Sequence, residues 1–447
     1  MINRRRFLQS VAATATIPAM SAGCTVASPA VAELRPDPRK IFDLPPGFEY
    51  RVVSRVGAAM NDGLTVPGYH DGMAAFAGGN GRVRLVCNHE IDPASVIAND
   101  LGERWKDLPK ETRALFYDNG ADITPGLGGT TTTIYNTVTR ETERQFLSLG
   151  GTDTNCAGGP TPWGSWLSCE ECFDGPGRVD FADRSVHREK SHGYVFEVPA
   201  DADELTLAQP ITAMGRFVHE ACAVDPATGI VYMTEDQHHS LFYRYIPKVP
   251  GKLLEGGNLQ ALAVDGKPMS ATHNWANPAI RLNRPLAVHW VDLDDVDPTE
   301  DVLRENGVAR GAATFARGEG LTLAGDRLAF TCTIGGPAQL GQVFTYRPTT
   351  AETGQLELIA EATSDSLLKN ADNLTMAPWG DLIVCEDTAG NCALVGIRPD
   401  GSQYELANNP YSDSELAGVC FSPDGKTLFV NIQYPGMTLA ITGPWPT

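Results

Sequence analysis

The stretch Asn155 to Cys172, NCAGGPTPWGSWLSCEEC, carries a thiol at its start, a turn at Pro162-Trp163-Gly164 and a short apolar strand, Ser165 to Cys169, that runs into Glu170-Glu171. Two short strands joined by such a turn make a hairpin, and a hairpin returns both of its ends to one edge of a sheet. Cys156 and the paired acids are therefore expected at the same edge.

The layout recurs. Six times a turn containing glycine leads into an apolar strand with a polar end: Arg84 to Glu90, Trp166 to Glu171, Val231 to Asp236, Leu328 to Thr333, Leu382 to Asp387 and Leu428 to Gln433. A second polar mark precedes each turn: His70-Asp71, Asn155-Cys156, His219-Glu220, Arg317-Gly318-Glu319, Asp372-Asn373 and Glu415. In five of the six the mark stands about 13 to 18 residues before the end of the following strand, room for two strands of five or six residues and a turn. Further strand-like sequence follows, such as Tyr194 to Val198 and Leu241 to Tyr245. The fold class expected is all-β, a six-bladed β-propeller with a few short helical insertions. One insertion is the charged segment Pro93 to Phe116, and a second helix is expected to open at Asp297-Pro298, with Asp as N-cap and Pro at the first position. No linker divides residues 33–447, which are read as one propeller domain.

Residues 1–32 read as an address. Asn3-Arg4-Arg5-Arg6-Phe7-Leu8 is a twin-arginine pattern, followed by a weakly apolar run and an Ala30-Val31-Ala32 cleavage site. Ser21-Ala22-Gly23-Cys24 offers an alternative, lipoprotein-like cleavage. The expected partner during export is the twin-arginine translocase, and the expected location is periplasmic or secreted, without stable membrane insertion, since the run is far short of the roughly 20 apolar residues a span needs. Without residues 1–32 the chain loses three arginines and no acid, which leaves a formal charge of −23. Such a surface repels nucleic acid and favours divalent cations. A monomer is expected. Nine of the ten cysteines remain, with Cys169/Cys172 and Cys385/Cys392 as candidate local disulfides and Cys156 as the candidate free thiol.

At one mouth of a propeller channel, Asp71, Glu220, Glu319, Asp372 and Glu415 would repel one another unless cations held them. Hard oxygen ligands suit Ca²⁺, and a thiolate beside carboxylates suits a transition metal such as iron, here Fe³⁺. Glu90, Glu171, Glu235 and Asp387, at the ends of the adjacent strands, are expected to complete the calcium shells. Arg317 is the only cation among the marks; two residues from Glu319, it lies on the same side of an extended strand. A guanidinium there can clamp a phosphoryl group through paired hydrogen bonds. The acidic run Asp292 to Asp297 lacks the glycine and closing Glu of a calcium loop, and Cys169-x-x-Cys172 has no second pair to make a zinc site.

These motifs resemble the PhoX family of alkaline phosphatases. The likeness rests on NHE at Asn88 to Glu90, NCAGGPTPWGSWLSCEE at Asn155 to Glu171, GRFVHE at Gly215 to Glu220, RGE at Arg317 to Glu319, ADNL at Ala371 to Leu374 and FSPDGKTLFVNIQYPG at Phe421 to Gly436. The resemblance implies a mixed iron–calcium cluster in the channel mouth, Cys156 as an iron ligand, and Glu220, Glu319 and Asp372 as acidic ligands. It further implies Glu171 on calcium, Arg317 on the substrate phosphate, and small phosphate monoesters as substrates. Two other readings remain open on the residues alone: a calcium propeller hydrolase acting on phosphodiesters or lactones, and a non-catalytic binding propeller stabilised by calcium.

Overall fold

Each turn of the repeat holds a glycine in the left-handed region, for example Gly81 (φ 75°) and Gly164 (φ 88°), where a side chain would be strained. With the chain reversed at these points, all six expected hairpins form in the computed structural model, which describes residues 33–446 except 94, 96–100, 181–184 and 277. The twin-arginine segment and the cleavage sites lie outside the described residues. In chain order, His70–Gly79 pairs with Arg82–His89, Asn155–Pro160 with Ser165–Glu170 and His219–Val224 with Val231–Glu235. Gly318–Ala324 pairs with Arg327–Cys332, Ala371–Met376 with Leu382–Glu386 and Leu416–Phe421 with Leu428–Ile432. These are the first to sixth hairpins below.

The first strands of the hairpins lie side by side in chain order, and the sixth packs against the first, so they form a closed ring. The all-β, propeller-like arrangement expected from the repeat is present. The six hairpins do not each have a sheet of their own. Leu286–Asp292 pairs with Gly257–Val264 on one side and Thr353–Glu361 on the other, which fuses the third and fourth hairpins into one nine-stranded sheet. Among the described residues the second hairpin has a third strand, Val195–Pro199, and no fourth. A strand the repeat did not announce, Glu49–Arg55, pairs with Met437–Thr442 and so latches the start of the described chain onto its last sheet.

The sheets bury apolar faces against one another. Between the third and fourth hairpins, Phe242 and Phe330 stack with ring centroids 4.4 Å apart, beside Phe315, Phe344 and Tyr346. Each such ring contributes about 1.5–3 kcal/mol by leaving water. The candidate disulfides do not form. All nine described cysteines are free; Cys169 lies in the core with its sulfur 3.4 Å from that of Cys222, whereas Cys172 reaches toward the carbonyl of Asp153. The segment after Pro93 is helical in short pieces, Leu101–Arg104 and Lys110–Arg113. The second helix starts later than expected, at Leu303, because Asp297 accepts a hydrogen bond from the Tyr194 hydroxyl at 2.7 Å instead of capping it.

Neighbouring first strands approach closely. A Cβ on Gly72 would stand 2.5 Å from the Cα of Ala157, and one on Gly320 would stand 2.7 Å from the Cα of Asn373. Gly72→Ala is therefore expected to lower stability by about 1–3 kcal/mol in denaturant unfolding. Gly175→Ala, where a Cβ meets nothing within 4 Å, should change it by less than about 0.5 kcal/mol. Equal effects would contradict the packing described.

Candidate metal centre

The hairpins share a defect in the same place. After the first paired residue of each, the register slips: between His70 and Met73, Asn155 and Gly158, His219 and Cys222, Gly318 and Leu321, and Ala371 and Leu374. The first residues in those bulges are Asp71, Cys156, Glu220, Glu319 and Asp372. A bulge kinks its strand and re-aims a side chain. Each of these residues is followed by Gly, Ala or Asn, the small neighbour that the tight ring demands. In the sixth hairpin the slip falls between Ala417 and Cys420, so Ala417 stands before it and no ligand-bearing side chain comes from that slot.

The bulges are tied to their neighbours. The side chain of Asn88 donates to the carbonyls of Cys156 (2.9 Å) and Ala157 (2.7 Å), and Thr331 donates to the carbonyl of Asp372 (2.8 Å). Thr234 bonds the carbonyl of Glu319 and Asn431 that of Asp71. Gly418 donates its N–H to the side chain of Asn373 at 2.8 Å.

A second set of groups comes from the strand ends. In every hairpin the residue following the second strand donates its N–H to the carbonyl two residues before the bulge position: Glu90 to Tyr69, Glu171 to Thr154, Asp236 to Val218, Thr333 to Arg317, Asp387 to Asn370 and Gln433 to Glu415. This equivalence corrects one residue. Glu235, expected as a calcium ligand, points away from the site, where it accepts from the Leu241 N–H (3.0 Å) and the Tyr243 hydroxyl (2.9 Å) and faces Arg304 at 3.4 Å. Burial pushes its carboxyl up to about 7. Glu170 and Glu386 play the same part, holding the N–H groups of Gly193 and Ala393. Successive strand residues face opposite sides, so the site faces the next residue in each case: Glu171, Asp236 and Asp387. Asp236 and Gln433 are the two that sequence reasoning missed, although the adjacent acid pairs carried the signal for the first. Glu415 sits at the site through a different position from the other upstream marks, the one equivalent to Arg317.

A cavity of about 130 Å³ is lined by Asp71, Glu90, Cys156, Glu171, Glu220, Arg317, Glu319, Asp372, Asp387, Glu415 and Gln433. The bulge residues form its buried floor, while Glu90, Glu171, Asp387 and Glu415 are partly exposed around the mouth. Burial, and then the charges of their neighbours, hold Glu90, Glu171, Glu220, Glu319, Asp372 and Glu415 well above the usual carboxylate range. Asp71 is raised to about 6, and the Cys156 thiol is also pushed up by burial. Arg317, with φ 52°, is the cation on this wall. Its Nε donates to Asp236 at 2.8 Å, and its Nη2 to Asp236 at 2.8 Å and Glu319 at 2.9 Å, while Nη1 has Asp387 at 3.9 Å.

Three sets of side-chain atoms are close enough to share an ion: Cys156, Glu171 and Glu220; Glu220, Glu319 and Asp372; and Asp71, Glu90 and Glu415. Glu220 belongs to two of them. Eight carboxylates and a thiol against one guanidinium fit a cation cluster and little else. A fourth set, Glu170, Cys172 and His192, lies elsewhere, and its atoms are already engaged. His192 bonds Glu170 at 2.7 Å and Asp118 at 3.3 Å; burial opposes its protonation, but those carboxylates outweigh it and raise it to about 10. A protonated imidazole between two carboxylates is an ion-pair brace that holds the strand end carrying Glu171.

The family model described as Alkaline phosphatase PhoX matches residues 30–134 and 121–436, most of the sequence. The chain belongs to the PhoX alkaline phosphatase family. The structure is similar to that of Pseudomonas fluorescens PhoX in complex with vanadate, with a TM-score of 0.66 and 19% identity over 93% of this chain and 97% of that one. Weaker likenesses include a gluconolactonase from Xanthomonas campestris (TM-score 0.39, 12% identity, 93% of this chain and 99% of that one). Another is a protein from Bacteroides thetaiotaomicron (TM-score 0.43, 10% identity, 88% and 76%). Among curated proteins no sequence matches.

In metal-free protein the raised carboxyl groups stabilise the fold while protonated. That stability is complete below the unfolded value near 4 and is lost as pH rises through the folded values, about 6 for Asp71 and well above the usual carboxylate range for the others. The melting temperature of chelator-treated protein is expected to fall between pH 5 and 8, and added calcium should flatten the profile. A pH-independent melting temperature without metal would contradict the reading of the cavity.

Proposed function

We propose that the chain is an exported, metal-dependent phosphomonoesterase, with calcium and iron held in the cavity by Cys156, Glu171, Glu220, Glu319, Asp372, Asp71, Glu90 and Glu415. Asp387 and Asp236 line or flank the same wall. The observation that carries the reading is Arg317 set among these groups: an anionic site that neutralises itself with cations still needs one fixed donor to orient an anionic substrate. The thiol and two acids of the Cys156 set suit iron, and the all-oxygen set of Asp71, Glu90 and Glu415 suits calcium.

The chain's own groups would work as follows. Asp236 and Glu319 occupy Nε and Nη2 of Arg317 and fix the guanidinium plane. Nη1, the least engaged nitrogen, is left to donate to a phosphoryl oxygen, an interaction that costs no reorganisation during reaction. Bound ions would supply the positive charge that offsets the phosphoryl oxygens and activates water for in-line attack. Water adds to phosphorus as the P–O bond to the leaving group breaks, which yields an alcohol and inorganic phosphate without a covalent Ser or His intermediate. Arg317, the one cation on the wall among the described residues, is pre-aimed, and Gln433 anchors the Glu90 carboxylate through its amide.

The same reading includes export by the twin-arginine translocase under the address in residues 1–32, residues 33–447 as one domain, and a monomer. The ring is best counted as six blades, because the same main-chain hydrogen bond recurs in all six hairpins although two of them share a sheet.

Natively exported protein is expected to turn over p-nitrophenyl phosphate and to lose that activity on chelation. Arg317→Ala should lower kcat/KM by about 100-fold while circular dichroism stays unchanged. Cys156→Ser should deplete iron in elemental analysis. Full turnover by Arg317→Ala, or after the metals are removed, would overturn the proposal.

A further inference from the structure

Two loops bonded to the segment that ends in Arg317 carry a group of rings that neither the core nor the cavity uses. His238 and Trp275 have centroids 4.6 Å apart, His239 and Trp275 5.2 Å, and His273 stacks on Trp275 at 3.9 Å with planes 26° apart. His238 and His239 are exposed, and His273 and Trp275 are partly so. Burial, with the neighbouring imidazoles, lowers the titration of His239 and His273, so those two rings are neutral near pH 7. The rings pack on one another while part of each stays open to solvent, so a further aromatic ring can stack there.

The rings come from two loops, and both are fastened to the segment that ends in Arg317. Thr272 donates its N–H to the Thr314 carbonyl at 2.9 Å; Ser240 and Phe315 exchange main-chain bonds at 3.0 and 2.8 Å; Arg317 donates its N–H to Gln237 at 3.0 Å. The loop with His238 begins at Asp236, which holds the guanidinium. The other loop is set by the buried Asn274, whose side chain bonds the Ile280 carbonyl at 2.8 Å and Glu361 at 2.7 Å and accepts from the N–H groups of Ala279 and Ile280. The indole N–H of Trp275 donates to the Ile334 carbonyl at 2.7 Å. The platform is thus rigid, and it is positioned through the same segment as the group that would bind phosphate.

We propose that His238, His239, His273 and Trp275 form a stacking subsite for an aromatic leaving group, so that the enzyme prefers phosphate monoesters of aryl alcohols and nucleosides over those of small aliphatic alcohols. The inference rests on the phosphatase reading and deepens it. Stacking on the His273–Trp275 pair, with the tilted rings of His238 and His239 at its edge, discriminates by ring contact and not by base-specific hydrogen bonds, so all nucleobases are accepted to a similar degree.

The test compares adenosine 5′-monophosphate, p-nitrophenyl phosphate and glycerol phosphate on the metal-loaded enzyme and on Trp275→Ala and His239→Ala. Trp275→Ala is expected to lower kcat/KM for the two aromatic esters about tenfold, mainly through KM, and to leave glycerol phosphate within about twofold. His239→Ala should show the same bias to a smaller extent, and Trp275→Phe should restore most of the loss. An equal fall for all three substrates, or none, would overturn the subsite while leaving the phosphatase reading intact. If no ester is turned over by the wild type, the phosphatase reading fails. Calorimetric titration with adenosine 5′-monophosphate then decides the platform: binding lost in Trp275→Ala supports it, and identical heats in the two proteins overturn it.

Discussion

Six equivalent main-chain hydrogen bonds, each from the residue after a second strand to the carbonyl that precedes a bulge, hold the site in register. They bring two tiers of side chains to one mouth: a buried floor from the bulges and a partly exposed rim from the strand ends. The tiers are unfavourable to each other, since like charges concentrated in a poorly solvated cavity repel strongly. The ring therefore has to be closed firmly. Close backbone approach at Gly72 and Gly320, side-chain bonds from Asn88, Thr331 and Asn431 across the hairpin boundaries, and the latch of Glu49–Arg55 on the last sheet all serve that end. Local strain and charge at the centre are offset by aromatic packing farther out, as between Phe242 and Phe330.

Much of this was legible because a hairpin is a local object. Glycine turns and period-two strands announce themselves, so the six hairpins and the convergence of Cys156, Glu220, Glu319 and Asp372 followed from spacing. What spacing cannot convey is register at the strand end. Glu235 and Asp236 are adjacent and both acidic, and only the side of the pleat separates a structural acceptor from a site group. Glu415 shows the same limit, as it reaches the cavity from the position of Arg317 and not from a bulge. The joining of the third and fourth hairpins depends on Leu286–Asp292 finding two outer strands, a pairing set by tertiary packing. The cluster of His238, His239, His273 and Trp275 was invisible for a similar reason, since His238 and Trp275 are 37 positions apart and meet only because both loops bind the segment from Thr314 to Arg317.

The acid pairs suggest a division of labour. Glu170, Glu235 and Glu386 each satisfy main-chain N–H groups of a neighbouring loop, and the residue after each is held at the cavity as a result. His192, protonated between Glu170 and Asp118, extends the brace beneath Glu171. Rigid positioning of this sort suits a site that must present many anionic ligands at fixed places, because a ligand free to swing away would escape its neighbours' repulsion and leave the ion.

The central claim is that cations hold the cavity together, with Cys156 selecting a transition metal among them. The most direct measurement is a crystal structure of natively exported protein with anomalous difference maps on both sides of the iron edge. The account predicts an iron peak at bonding distance from the Cys156 sulfur and calcium density among Asp71, Glu90 and Glu415. A cavity free of cations, with its carboxyl groups protonated and hydrogen-bonded to one another, would contradict it.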